Sequence, residues 1–229
     1  MHAASLPLPR TASATRSAGV AIAAATVVST VFVALDHSGG GSTPAEILAG
    51  IARLATLKAW VHGVAMASVC AYAYGHAVLA RRLGLQRGVV LGGLAVYLFG
   101  CMAMLLATLF DGFVTPHVAI DAGTGVATRV AFAFDLVHYL GVILNDLAKL
   151  GWVLQAVGTL AWSLVLLQRA GASRAVGGIG LLSSALVLAL LATSATSMSM
   201  ASLLAVLCAQ LLWNLAVGGL LWRGVEAGE

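Results

Sequence analysis

Six runs of apolar residues, each near the length that crosses a bilayer, leave this chain few ways to fold. A helix needs roughly 20 residues to span a hydrocarbon layer about 30 Å thick. The runs are Ala18–Leu35, Ala59–Ala80, Gly88–Phe110, Leu150–Leu167, Ala175–Ala195 and Ser199–Trp222. In lipid, each backbone N–H and C=O must find its partner inside the protein, which makes such runs helices. Hydrophobic residues make up 61% of the chain and charged residues 9%, as membrane burial on this scale requires. The expected fold is therefore all-α: a polytopic transmembrane helical bundle of about six spans, in contact with the lipid bilayer. No intervening stretch has the length and polarity of a separate soluble domain. Residues 1–16 read as a flexible tail and 17–224 as one six-helix transmembrane domain with an outer-side segment 111–149. Residues 225–229 read as a short C-terminal tail.

Charge orients the bundle. The net charge of +4 does not point to nucleic acid, because the basic residues alternate with the spans instead of forming a patch. Arg10 and Arg16 precede the first span, and Arg81, Arg82 and Arg87 lie between the second and third. Arg169 and Arg174 lie between the fourth and fifth, and Arg223 follows the last. The positive-inside rule makes that side cytoplasmic, with both termini inside a cell inner membrane. Arg53, Lys58, Arg129 and Lys149 share the other side with most of the acidic residues. Phe32-Val33-Ala34 is a poor signal-peptide cleavage site, so the first run reads as a retained helix. Cys70, Cys101 and Cys208 lie in separate spans without a CxxC pairing and read as packing residues.

Local signals add detail. Thr43-Pro44-Ala45-Glu46 has the form of a capping box with proline at the first helical position, so a helix should start there and enter the membrane near Ala59. Along it, Gly63, Ala67, Ala71 and Gly75 form a small-residue ridge of the kind that receives another helix, in this chain, a second copy or a partner. The third span should run out to Phe110-Asp111-Gly112 and leave the membrane. Residues 128–168 read as helical for some forty residues. The preferred expectation breaks this stretch near Gly141 or Lys149–Gly151 into an outer-surface helix followed by one crossing. Trp60, Trp152, Trp162, Trp213 and Trp222 read as interfacial anchors.

Ionisable groups kept near hydrocarbon are costly, and usually have a partner or a task. Here they gather at the outer ends of the spans. Asp36 and His37 end the first helix, His62 lies just inside the second, and Asp111 and His117 follow the third. Asp135 and His138 come next. Imidazole and carboxylate are the natural ligand set for zinc, copper or iron. His37, His62, His117, His138, Asp111 and Asp135 are thus candidate ligands for such a metal or for a b-type haem, in membrane redox or metal handling. His62 and His76 are fourteen residues apart, about 21 Å along one helix face, the spacing of stacked haems. No facing histidine exists for His76, which reads more simply as a capping or snorkelling residue beside Arg81-Arg82.

Two other functions compete. Asp135, His138, Asn145, Asp146, Lys149, Thr159 and Ser163 form a polar stripe on the helix 129–168, suited to a proton-coupled transporter or channel. The small-residue ridges suit a non-catalytic membrane subunit or assembly partner. Intramembrane proteolysis is disfavoured, since the sequence has neither a GxSG serine nor HExxH.

Overall fold

The computed structural model describes residues 10–35, 40–123, 125–193 and 200–224. Eight α-helices and one π-helical turn account for nearly all of them. They are α1 (Arg10–Leu35), α2 (Pro44–Arg53), α3 (Ala55–Leu83), α4 (Gly88–Leu109), α5 (Thr115–Ala122), α6 (Ala127–Leu167), α7 (Gly171–Thr193) and α8 (Met200–Arg223). The π turn, Phe110–Val114, joins α4 to α5. Six stretches are long and apolar enough to cross a membrane, as expected: α1, α3, α4 with its extension, α6, α7 and α8.

These six close into a ring in which each packs on the next: α1, α3, α4, α6, α7, α8 and back to α1. Without a hydrophobic drive between helices in lipid, close backbone approach decides such packing. The α4–α6 seam shows how. A Cβ on Gly100 would lie 2.8 Å from the Gly151 carbonyl oxygen, and one on Gly158 would lie 2.7 Å from that of Gly93. The first apolar run packs into the bundle, with Ala18 and Ile22 of α1 fully buried in its core.

In the ring centre, α3, α4, α6 and α8 contribute His76, Tyr97, Trp162 and Trp213. The His76 ring centroid lies 4.4 Å from that of Tyr97, 5.4 Å from Trp162 and 6.1 Å from Trp213. All four side chains are essentially inaccessible. This overturns two expectations. His76 does not snorkel beside Arg81-Arg82, because it faces the ring axis and not the helix end. Trp162 and Trp213 are core residues and not interfacial anchors, whereas Trp60 and Trp222 are exposed as anchors would be.

At the end opposite Arg82, Arg87 and Arg169, three pieces form a second small core. Leu48 and Ile51 of α2 pack with Ala119 and Ala122 of α5 and Ala133 of α6. Three boundaries differ from expectation here. The helix beginning at Pro44 breaks at Leu54, whose backbone (φ −90°, ψ 1°) lets α2 turn aside and bury its apolar face on α5. The third span does not end at Gly112 but continues through the π turn into α5. Residues 127–167 form one unbroken helix of 41 residues, about 60 Å long, instead of a surface helix plus a separate crossing. Glycine at 141 costs an isolated helix about 1 kcal/mol. Packing against α2, α5 and α4 along its length outweighs that local cost. Thr43 does cap α2 as expected: its Oγ1 accepts from the Glu46 N–H (3.3 Å), and Glu46 Oε2 accepts from the Thr43 and Ser42 N–H groups.

Candidate functional site

Lys58 and His62 are four residues apart on α3, so both side chains leave the same face of the helix. That face meets the π turn. Pro116 lacks an N–H and its ring crowds the carbonyl four residues back, on Gly112. The wider turn, in which the Thr115 N–H donates to the Phe110 carbonyl, accommodates this. A turn of this kind rotates the residues within it relative to a regular α-helix, and such turns recur at functional sites. Gly112 supplies the other requirement. A Cβ there would sit 2.3 Å from His62 Cβ, so only glycine lets α3 approach this closely.

Asp111, beside that glycine, reaches both partners. Lys58 Nζ donates to Asp111 Oδ1 at 2.9 Å, and His62 Nε2 lies 3.3 Å from Oδ2. The Lys58 and His62 side chains are 10% and 9% exposed, whereas Asp111 is 26% exposed. The carboxylate is therefore the member facing outward, held from behind by an ammonium and an imidazole. Such an arrangement keeps a carboxylate in a low-dielectric setting and couples its charge to that of the ring beside it.

The other expected site residues are not gathered here. His117 is exposed, and its Nδ1 contacts the Phe113 carbonyl oxygen at 2.6 Å, a bond within its own helix. Asp135, His138 and Asp146 are exposed on α6, while Asn145 and Lys149 are half-buried. Asp36 and His37 lie outside the described residues. Among the described residues, no three His, Cys, Asp or Glu side chains are grouped to hold a metal ion. His76 is occupied on both ring nitrogens. Its Nδ1 lies 2.9 Å from the Tyr72 carbonyl oxygen, and its Nε2 accepts from Trp213 Nε1 at 3.0 Å. A ring so engaged does not fit an axial haem ligand.

Further along α6 the stripe turns inward. Thr159 and Ser163 are buried, and Ser163 Oγ donates to the Thr159 carbonyl (2.7 Å). Ser183 and Ser184 of α7 are buried nearby, and with Thr159, Gln210 and Trp213 they line a crevice between α6, α7 and α8.

Lys58 was not among the residues expected at the site from the sequence, where Lys149 was placed in the polar stripe. The signal was available, since a four-residue offset from His62 puts Lys58 on the same face. What no spacing encodes is that Asp111 turns toward that face. Compared with known proteins, the chain matches no family model, no curated protein and no solved structure.

Proposed function

We propose that this chain is an inner-membrane protein that handles protons, a proton-coupled carrier or channel, with Asp111 as the exchanging group on the outer side. One observation carries this reading: Asp111, Lys58 and His62 touch one another where α4 turns, with only the carboxylate facing outward. Lys58 sets the local charge, and His62 is the natural second station for a proton because an imidazole can accept on one ring nitrogen and donate from the other. The buried hydroxyls of Thr159, Ser163, Ser183 and Ser184 offer polar footing deeper in the bundle. The arginine-bearing end is then cytoplasmic.

The test is proton flux into liposomes carrying the purified protein and an internal pH-sensitive dye, under an imposed pH gradient. Flux above that of protein-free liposomes, reduced about a hundredfold or more in Asp111→Asn, is the expected result, in line with the usual share of a positioned acid–base group. Equal flux in protein-containing and empty liposomes sinks the reading.

A second reading, a membrane subunit that receives another helix, draws on the outer half of α3. Gly63 has open space where a Cβ would stand, and Ala67 and Trp60 are exposed beside it. These residues and Ala59 border an open groove of about 630 Å³. A partner or second copy retained on this face, and displaced by Gly63→Leu, would favour that reading.

A further inference from the structure

At the arginine-bearing end, Arg82, Arg87, Arg169 and Arg174 lie in or beside the turns that join α3 to α4 and α6 to α7. Arg169, in the second turn, extends Nη2 to the Arg82 carbonyl oxygen at 3.5 Å, which draws that turn against the end of α3. Arg174 donates from Nε to the Arg169 carbonyl at 3.1 Å. Arg82 itself is anchored on Thr15, whose Oγ1 accepts from its Nε at 3.0 Å. Arg87 is the residue before α4, whose N-terminus has no side-chain cap.

Two features of this cluster are unusual for a solvated basic face. Arg169 Nη1 is buried and has no hydrogen-bond partner among the described residues. The guanidinium is held below the usual arginine range, first by desolvation and then by repulsion from Arg87. Every described acidic residue (Glu46, Asp111, Asp121, Asp135 and Asp146) belongs to the opposite end. Arginines drawn together with no carboxylate among the described residues at their end, beside an uncapped helix N-terminus, create a field that favours an anion. Guanidinium forks match the oxygens of a phosphate in particular.

The surroundings identify the source of that phosphate. Leu85, Val89 and Leu91 flank Arg87 and are 37%, 48% and 53% exposed. Farther along α4, Leu98, Phe99 and Met102 continue an exposed apolar surface. A diacyl chain fits that surface, and a free anion makes no use of it. We infer that Arg87 and Arg169, with Arg174 beside them, bind the phosphate of an anionic phospholipid whose acyl chains lie along α4.

The full-length protein in a neutral detergent is titrated with dioleoyl-phosphatidylglycerol, with dioleoyl-phosphatidylcholine and with inorganic phosphate alone. Bound lipid is read by native mass spectrometry and thermal unfolding in parallel. Phosphatidylglycerol should be retained and raise the melting temperature, with phosphatidylcholine and phosphate having little effect. Arg87→Gln/Arg169→Gln should weaken retention about tenfold or more, as expected from the usual contribution of an arginine near anionic lipid. Arg129→Gln, at the opposite end, should match the unaltered protein. Should the double glutamine variant fail to fold, Arg87→Lys/Arg169→Lys keeps the charge without the forks and should fall between the two.

Equal retention of the two lipids overturns the inference, as does phosphatidylglycerol binding that survives loss of both arginines. Inorganic phosphate matching the lipid, with the same dependence on arginine, overturns the lipid assignment. Glu226 and Glu229 lie outside the described residues. A preference for phosphatidylglycerol that emerges only in Glu226→Gln/Glu229→Gln would mean the tail fills the site, which also overturns the inference.

Discussion

Trp213 donates its indole N–H to Nε2 of His76 at 3.0 Å, across the centre of the bundle from α8 to α3. Because Nε2 accepts, the ring proton resides on Nδ1, which donates to the Tyr72 carbonyl at 2.9 Å. One imidazole is thus neutral, fixed in one tautomer and in contact with the rings of Tyr97 and Trp162, which also touch each other at 5.1 Å. Trp162 in turn donates to the Val90 carbonyl at 3.2 Å, bringing α4 into the same network. Two directed indole bonds thus join α8 to α3 and α6 to α4, and the ring contact of His76 with Trp162 links the two pairs.

The losses from removing the two partners of that bond should not add. Trp213→Phe leaves His76 Nε2 buried and unpaired, a loss of about 1–3 kcal/mol. In the His76→Phe/Trp213→Phe double variant no polar atom of the pair remains, so the loss should be smaller than the sum of the single losses. Thermal unfolding in detergent of the full cycle reads the difference. Simple additivity would mean the bond contributes nothing specific.

Gly112 should be intolerant of even one methyl group. Gly112→Ala places a carbon 2.3 Å from His62 Cβ, so α3 and the π turn must separate. Proton flux, if the proposed function holds, and unfolding temperature should both fall. Gly141→Ala meets open space and should leave both unchanged or raise stability slightly, because alanine favours helix.

The ridge on α3 is occupied at its inner end and open at its outer end. A Cβ on Gly75 would come 2.2 Å from Cγ1 of Ile22 on α1, whereas Gly63 has nothing within 4 Å. Gly75→Ala should therefore destabilise the protein by about 1–3 kcal/mol through overpacking. Ile22→Ala in the same chain should recover part of the loss by making room. Lack of any recovery would show that α1 does not pack there.

The α2 cap should respond to acid. Hydrogen bonds from Ser42 and Thr43 hold the Glu46 carboxyl below its ordinary value of 4.5. A carboxyl depressed in the folded state stabilises it above the unfolded pKa, and that contribution is lost as pH falls through the lower folded value. Amide exchange of Ser42, Thr43 and Glu46 should thus stay slow from neutral pH to about 4.5 and rise selectively below it, relative to α4 amides. Thr43→Ala should raise the same exchange at neutral pH. Acid-insensitive amides in the unaltered protein would refute the cap's role.

Much of the membrane architecture was legible because lipid permits so few backbone solutions. The apolar runs gave six crossing helices, and the Thr43–Glu46 spacing gave the α2 start to the residue. Misreadings fell where tertiary contact outweighs local preference. Leu54 carries no breaker signal, yet the chain turns there because α2 gains a partner in α5. Gly141 invites a break, yet α6 runs through it because neighbours support both sides. His76 and Trp213 looked like end-of-helix residues by sequence position, since depth along a helix says nothing about which way a side chain faces.

The site divides the same way. That ionisable residues gather at one end follows from residue order alone, because each span delivers its end to one side or the other. Sequence by itself therefore determined the all-α class, the crossings and the end at which polar chemistry is concentrated. Only the tertiary structure decided that Asp111 meets Lys58 and His62 while His117, His138 and Asp135 stand apart. The reason is rotational: charge and hydropathy set a residue's depth, but the π turn and the missing Cβ of Gly112 determine the side on which its carboxylate emerges.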